Sequence, residues 1–422
     1  MKKHHLNTIL VIFFISIISI LYWKSILDVP FHPDEATQIF MSQDVDLFIN
    51  GKGTDLFYSK TPTTPITQHY HLVDPPFTRY VIGLARLIFR DPGLANDWNW
   101  AFSWEINLKN GALPSQKQLL IARSSVFLFF PCSLILLFLI VNKINGKKAA
   151  WIAMLLYSFN SLILLHTHRA MTEGPLLFWL LLSIYLMIAR PKNFFLTAIA
   201  IAFAINTKLT GVALLPVLVI QIFIFFPLLK TKIINVIISL GIIIGICIVL
   251  NPVYWKTPII AFKDALQERS SLMASQKEGL SILNPEKVLS SPMEKVAAMV
   301  GNIYLQPPAI SDLNNYDKDL ERSKVIYLGN FIHTISQNFY FAVPFMVLSI
   351  SGFFLLCLRL RSKTNRFQAI SLLLCFIFQI ATILIVADLP FQRYVIPVVP
   401  YSYIFTALFI SSVFERKKPA QE

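Results

Sequence analysis

Residues 6–36 read LNTILVIFFISIISILYWKSILDVPFHPDEA. The first part, Leu6 to Trp23, is an apolar run of the length that crosses about 30 Å of hydrocarbon as a helix. It follows Met1-Lys2-Lys3-His4-His5, a charged start like that of a signal peptide. No small-residue cleavage site comes after it, because Tyr22-Trp23-Lys24 is bulky, so the run reads as an uncleaved membrane anchor. About ten residues beyond it stands the acidic pair Asp34-Glu35, in the stretch Phe31-His32-Pro33-Asp34-Glu35-Ala36.

The rest of the chain repeats the pattern of that first run. Of its 422 residues 55% are hydrophobic and 14% charged, against about 25% charged in soluble domains. Apolar runs fall at 6–23, 119–141, 149–165, 174–189, 193–207, 209–229, 233–250, 338–358, 367–387 and 394–414. The sequence predicts an all-α polytopic membrane protein of about ten transmembrane helices with two long extracytoplasmic loops. The expected organisation is an anchor at 1–23, a first loop at 24–118, helices two to seven at 119–250, a second loop at 251–337, helices eight to ten at 338–414, and a tail at 415–422. The four cysteines, Cys132, Cys247, Cys357 and Cys375, lie in apolar runs without metal-site spacing, so neither a disulfide nor a metal cluster is expected.

Charge orients the chain. With the N-terminus inside, the inner segments hold 16 basic residues and two acidic ones, Glu415 and Glu422, while the outer side holds 21 of each sign. The formal charge of +14 is then a positive-inside signal and calls for no nucleic-acid partner. Both termini are expected in the cytoplasm of a plasma-membrane protein. A site built on carboxylates is expected on the extracytoplasmic side. The hairpin formed by Phe194 to Leu229 crosses twice in close to the minimum length, which puts its turn Asn206-Thr207-Lys208-Leu209-Thr210-Gly211 at or below the outer interface.

Four groups at outer helix ends could carry chemistry, and each has a plain structural alternative. Asp34-Glu35 reads as a helix start, with Pro33 and two acids in the first turn, or as a general base or metal ligand. Glu173 follows the turn His166-Thr167-His168-Arg169-Ala170-Met171-Thr172, where Thr172 is placed to cap the helix. It reads as dipole complementation with a pair to Arg169, or as a working carboxylate at the mouth of a span. His166 and His168 read as interfacial residues or as ligands. Lys208 and Arg393 read as snorkelling cations or as holders of a phosphate. Asp74-Pro75-Pro76-Phe77-Thr78-Arg79-Tyr80 leads into an amphipathic stretch to Phe89, expected to lie in the interface. Trp98, Trp100, Phe102 and Trp104 suggest an aromatic belt or a sugar-stacking surface. Several carboxylates and isolated cations at one membrane depth suit a lipid-phosphate substrate.

These motifs resemble those of the GT-C superfamily of membrane glycosyltransferases, in the protein O-mannosyltransferase and aminoarabinose-transferase branch. Pro33-Asp34-Glu35-Ala36, Pro75-Pro76-Phe77 with Tyr80, Arg169 with Thr172-Glu173, Thr207-Lys208-Leu209-Thr210-Gly211, and Arg393-Tyr394 with Pro397 and Pro400 occur in family order. The resemblance implies inverting transfer of a sugar from a polyprenyl- or dolichyl-phosphate donor to an acceptor lipid, protein or glycan in the bilayer's outer leaflet. It implies catalytic roles for Asp34, Glu35 and Glu173, with Asp34 deprotonating or orienting the acceptor. It implies that Lys208, Arg393 and Arg169 hold the donor phosphate, and that Arg79, Tyr80 and His168 contact substrate. Asp74 departs from the family, which often has a basic residue or His before the paired prolines.

The implied chemistry agrees with elementary electrostatics. Fixed cations stabilise a phosphate leaving group more as the bond to it breaks. No cofactor is required, although Asp34 with Glu173 could hold a divalent metal. The rival readings are a transporter or lipid flippase, which favours charged groups near the bilayer midplane and internal repeats, and a non-catalytic subunit with the same fold. No acidic residue falls in mid-span and no repeat is visible.

Overall fold

The computed structural model describes residues 2–283, 285, 288–312, 316–361, 366–386 and 389–416. The expected tail from 417 onward, the end of the ninth expected span at 387, and Lys363 lie outside the described residues. Every regular element among the described residues is helical. They are α1 (Lys2–Lys24), α2 (Pro33–Met41), α3 (Asp44–Ile49), α4 (Pro65–Val73), α5 (Phe77–Ile88), α6 (Trp104–Lys109), α7 (Gln116–Phe127), α8 (Phe129–Ser158), α9 (Ser161–Thr167), α10 (Glu173–Ala189), α11 (Phe194–Thr207), α12 (Leu215–Phe225), α13 (Leu229–Leu250), α14 (Pro258–Leu283), α15 (Pro292–Val300), α16 (Asp317–Gly329), α17 (Phe339–Leu358), α18 (Arg366–Val386) and α19 (Val399–Arg416).

Among the described residues, six stretches are long and apolar enough to cross a membrane: Leu6–Lys24, Gln116–Ser158, Leu229–Leu250, Phe339–Arg361, Arg366–Ile385 and Gln392–Phe414. The sequence led us to expect about ten. The difference has two physical sources. Gln116–Ser158 reverses at Asn145-Gly146, where Gly146 takes φ +78, a conformation a side chain resists, so one stretch contains more than one expected run. Glu173–Ala189, Phe194–Thr207 and Leu209–Phe225 are apolar but shorter. α11, with 14 residues, is about 21 Å long at 1.5 Å per residue, less than the hydrocarbon thickness.

The bundle core is built from α8, α10, α11 and α19, whose facing residues, such as Leu134, Ala153, Leu177, Ile201 and Ile404, are buried. α1 and α13 carry exposed apolar faces, including Ile12, Phe13, Ile237 and Ile244, as lipid-facing helices do. The last span opens with the 3₁₀ turn Gln392–Val398, which contains Pro397, and only then becomes α19. The proline-rich start predicted such a break.

A second core ties both loops to one end of the bundle. Val29, Phe31, Ile39 and Trp98 from the first loop pack with Ile310, Tyr316 and Tyr327 from the second, and with Leu165 of α9 and Ala170 from the turn after it. Trp98 is thus a core residue, edge-on to Trp104 and Tyr316 and tilted against Phe31, and not part of an interfacial belt. α5 is amphipathic, with Leu84 and Ile88 exposed. Arg86, which interrupts its apolar pattern, turns inward to Asp46 and Asp91. The four cysteines are free.

Candidate active site

α2 begins with a capping box: His32 accepts from the Asp34 amide, and Glu35 accepts from the His32 amide. This geometry sends the two acids different ways. Glu35 is fully buried. Arg123 donates to it twice, Nε to Oε1 at 2.8 Å and Nη2 to Oε2 at 2.7 Å, and the Ala170 amide donates to Oε1 at 2.8 Å. Burial pushes the Glu35 carboxyl up, but Arg123, with Arg169 and the Ala170 amide, outweighs it and holds it below the usual range. Asp34 instead faces a cavity of about 480 Å³ and accepts from Arg393 Nη1.

Arg393 joins the start of the last span to both loops. Its Nη2 lies 3.2 Å from Asp312 Oδ2, and His32 Nε2 lies 3.1 Å from the same oxygen. Burial pushes the Asp312 carboxyl up, yet Arg393 and His32 together hold it well below the usual range. On the bundle side, Lys208 Nζ donates to Glu173 Oε1 at 2.7 Å and lies over the Tyr394 ring. Gly211 keeps this turn tight: a Cβ there would come within 2.6 Å of the Ala204 carbonyl carbon. Thr172 makes no capping bond to its helix and donates to Glu173 at 3.5 Å instead.

Asp34, Glu173, Lys208, Arg393 and Asp312 all line the one cavity, with Asp74, Tyr70, Trp100 and Arg269. Asp34, Glu173, Lys208 and Arg393 were expected to work together. Glu35, Arg169, Arg79, Tyr80 and His168 do not line it. Arg169 is buried and donates to the carbonyls of Pro30 and Ile310, at 3.2 and 2.6 Å, in place of the expected pair with Glu173. Arg79 pairs with Asp44 at 2.9 Å, and Tyr80 donates to the Leu250 carbonyl at 3.0 Å. His168 is packed among Tyr22, Phe127 and Phe130, and burial pushes it down to about 3.

Sequence reading passed over Asp312 and the wall supplied by α14, where Arg269, Ser275, Gln276 and Gly279 line the cavity. α14 is held to the first loop by His69–Glu268 at 2.8 Å and by Tyr58–Asp264. Nothing in the local sequence marks Asp312, and the mixed composition of 258–283 shows no clear apolar face that would mark a packed helix.

Among the described residues no three His, Cys, Asp or Glu side chains gather as a metal cage. Asp34 and Glu173 are each neutralised by a basic side chain. A divalent ion on that pair would be repelled by Arg393 and Lys208, so the arrangement does not fit a metal.

Residues 67–261 match the family of dolichyl-phosphate-mannose-protein mannosyltransferases. No curated protein matches the chain in sequence. Among solved structures, the oligosaccharyltransferase of Archaeoglobus fulgidus in the apo form is similar at 12% identity and a TM-score of 0.51, over 95% of this chain and 50% of that one. The same protein in complex with Zn and sulfate gives 10% and 0.51, over 94% and 49%. ArnT from Cupriavidus metallidurans bound to undecaprenyl phosphate gives 16% and 0.49, over 95% and 60%. The chain thus spans about half the length of the archaeal structures it matches. By the architecture it shares with them and by its family match over 67–261, the chain resembles the GT-C membrane glycosyltransferases.

Proposed function

We propose that the protein is a membrane glycosyltransferase that moves a sugar, with inversion, from a polyprenyl- or dolichyl-phosphate donor to an acceptor hydroxyl on the extracytoplasmic side. The observation that carries this reading is the convergence of Asp34, Glu173, Lys208 and Arg393, from four separate parts of the chain, on one cavity at the end of the bundle. On this reading both termini are cytoplasmic, 24–118 and 251–337 are the outer loops, and the spans between are those expected from the sequence.

Lys208 and Arg393 receive the donor phosphate. Asp34, Glu173 and Asp312 hold these cations in place until it arrives. The acceptor oxygen attacks the anomeric carbon as the bond from that carbon to the phosphate oxygen breaks. The electron pair leaves with the lipid phosphate, where the two cations meet its growing charge. The acceptor's proton goes to Asp34, whose Oδ1 is free of the Arg393 contact. Glu35 acts in this scheme as the anchor of α2.

The test uses purified protein with undecaprenyl-phosphate-linked sugars and a panel of hydroxyl acceptors, following release of lipid phosphate. Wild type releases it with transfer to acceptor. Asp34→Asn stays folded and loses about 10²–10⁴-fold in rate, the usual worth of a positioned base. A wild-type rate in a folded Asp34→Asn protein overturns the assignment of Asp34. No release by wild type from any donor overturns the function.

A further inference from the structure

The cavity has two chemically unlike linings. Lys208 and Arg393, from the turn after α11 and the start of the last span, are the cations assigned above to phosphate. The first loop instead contributes hydrogen-bond acceptors that lack donors. Asp74 lines the cavity, and its carboxylate makes no hydrogen bond or ion pair among the described residues. Its backbone is engaged, the amide with Tyr70 O and the carbonyl with Arg79 Nη1. The neighbouring cation, Arg79, puts its Nε on Asp44 and its Nη1 on the Asp74 backbone, not on the carboxylate. Gln38 lines the same cavity, is 8% exposed, and its side-chain oxygen has no hydrogen-bond partner.

A buried acceptor without a donor is costly and calls for an explanation, and Gln38 Oε1 is one. With the half-buried Asp74 carboxylate and Asp34 on the same lining, it calls for a ligand with several donors. Trp100 and Tyr70 add aromatic surface to the same lining. Aromatic surface beside clustered acceptors suits the C–H face and hydroxyl edge of a sugar ring. A cationic amine is the other donor-rich group, but Arg269 lines this cavity and acts electrostatically on Asp74, which disfavours a second positive charge. Burial, aided by Asp34, pushes the Asp74 carboxyl up, which suits hydrogen bonding to neutral hydroxyls.

We propose that Asp74 and Gln38 grip a neutral sugar ring by two of its hydroxyls and so set which sugar the cavity takes. This rests on the glycosyltransferase reading and extends it to residues that the family likeness does not assign. The ring belongs either to the lipid-linked donor or to a glycan acceptor.

The experiment measures binding, by thermal stabilisation, to the purified full-length protein. The probes are undecaprenyl phosphate, undecaprenyl-phosphate glucose, mannose and galactose, and the corresponding methyl glycosides without lipid. Wild type is expected to bind at least one sugar-bearing lipid more tightly than bare undecaprenyl phosphate if the ring is the donor's, or a methyl glycoside on its own if it is the acceptor's. Asp74→Ala and Gln38→Leu are each expected to weaken that sugar-dependent binding by about tenfold, as for loss of one strong hydrogen bond. Both should keep wild-type affinity for bare undecaprenyl phosphate, which serves as the folding control. The proposal is overturned if neither variant changes the sugar-dependent part, or if wild type shows none in either arm. Failure of the glycosyltransferase reading is separate: it appears as no binding of the bare lipid phosphate and no release of it in turnover.

Discussion

Glu35 carries its charge in full burial, and Arg123 meets it with two hydrogen bonds while Ala170 and His32 donate one each. Removing one member of such a pair leaves the other charge buried and costs about 3–5 kcal/mol. Glu35→Ala is therefore expected to lower the unfolding midpoint strongly in detergent, whatever its effect on turnover. The pH dependence follows from the depressed carboxyl. Its stabilising contribution is fully present above the ordinary Glu range and is lost as pH falls through that range toward the lower folded value. Acid titration of the unfolding midpoint should show wild type losing stability there, and Glu35→Gln losing less. Lys208 faces the cavity, although its partner Glu173 is buried. Lys208→Gln, which can still donate to Glu173, is expected to cost less stability than Glu35→Ala and to cut lipid-phosphate release by roughly 10²–10³-fold, the loss typical of one transition-state donor. Asp34, Glu173, Lys208 and Arg393 could be read in sequence because their charge is out of place at an apolar helix end. Asp312 could not. It sits in a polar loop, where a carboxylate is ordinary, and gains its meaning only from Arg393 and His32, which are distant in sequence.

At the scale of elements, α17 and α19 meet backbone to backbone at Gly352, where a Cβ would overlap the Phe405 carbonyl. Small residues allow membrane helices this approach. Gly352→Leu is expected to separate the two helices, destabilise the protein by about 1–3 kcal/mol as overpacking does, and weaken turnover through the displaced Arg393. Thermal unfolding and lipid-phosphate release on the same sample would register both effects. Periodicity and apolar length made most of the bundle legible, since a run of about 20 apolar residues has few alternatives. The shorter helices α10 to α12 were legible only as apolar runs, because their length is set by burial among neighbours. α14 was not legible at all: its polar composition suits a loop, and its packing on the first loop, on α4 through His69–Glu268 and ahead of α4 through Tyr58–Asp264, is a tertiary fact.

For the whole molecule, the charge asymmetry that orients the chain and the cavity that carries the site should lie at opposite membrane faces. A cysteine replacing Lys60, which is exposed in the first loop, is expected to react with an impermeant thiol reagent in intact cells. A cysteine replacing Lys148, exposed just after the Gly146 reversal, should react only after permeabilisation. Equal labelling of both in intact cells would remove the extracytoplasmic placement. The paired acids and bases have one more consequence, in the order of synthesis. Asp34, Glu173 and Asp312 emerge from the ribosome before Arg393, which meets two of them. Until the helix that begins at Arg393 is inserted, the nascent chain holds Asp34 and Asp312 without the guanidinium that pairs them. The two outer loops are therefore joined electrostatically only after this helix is made, late in the order of synthesis relative to the loops themselves.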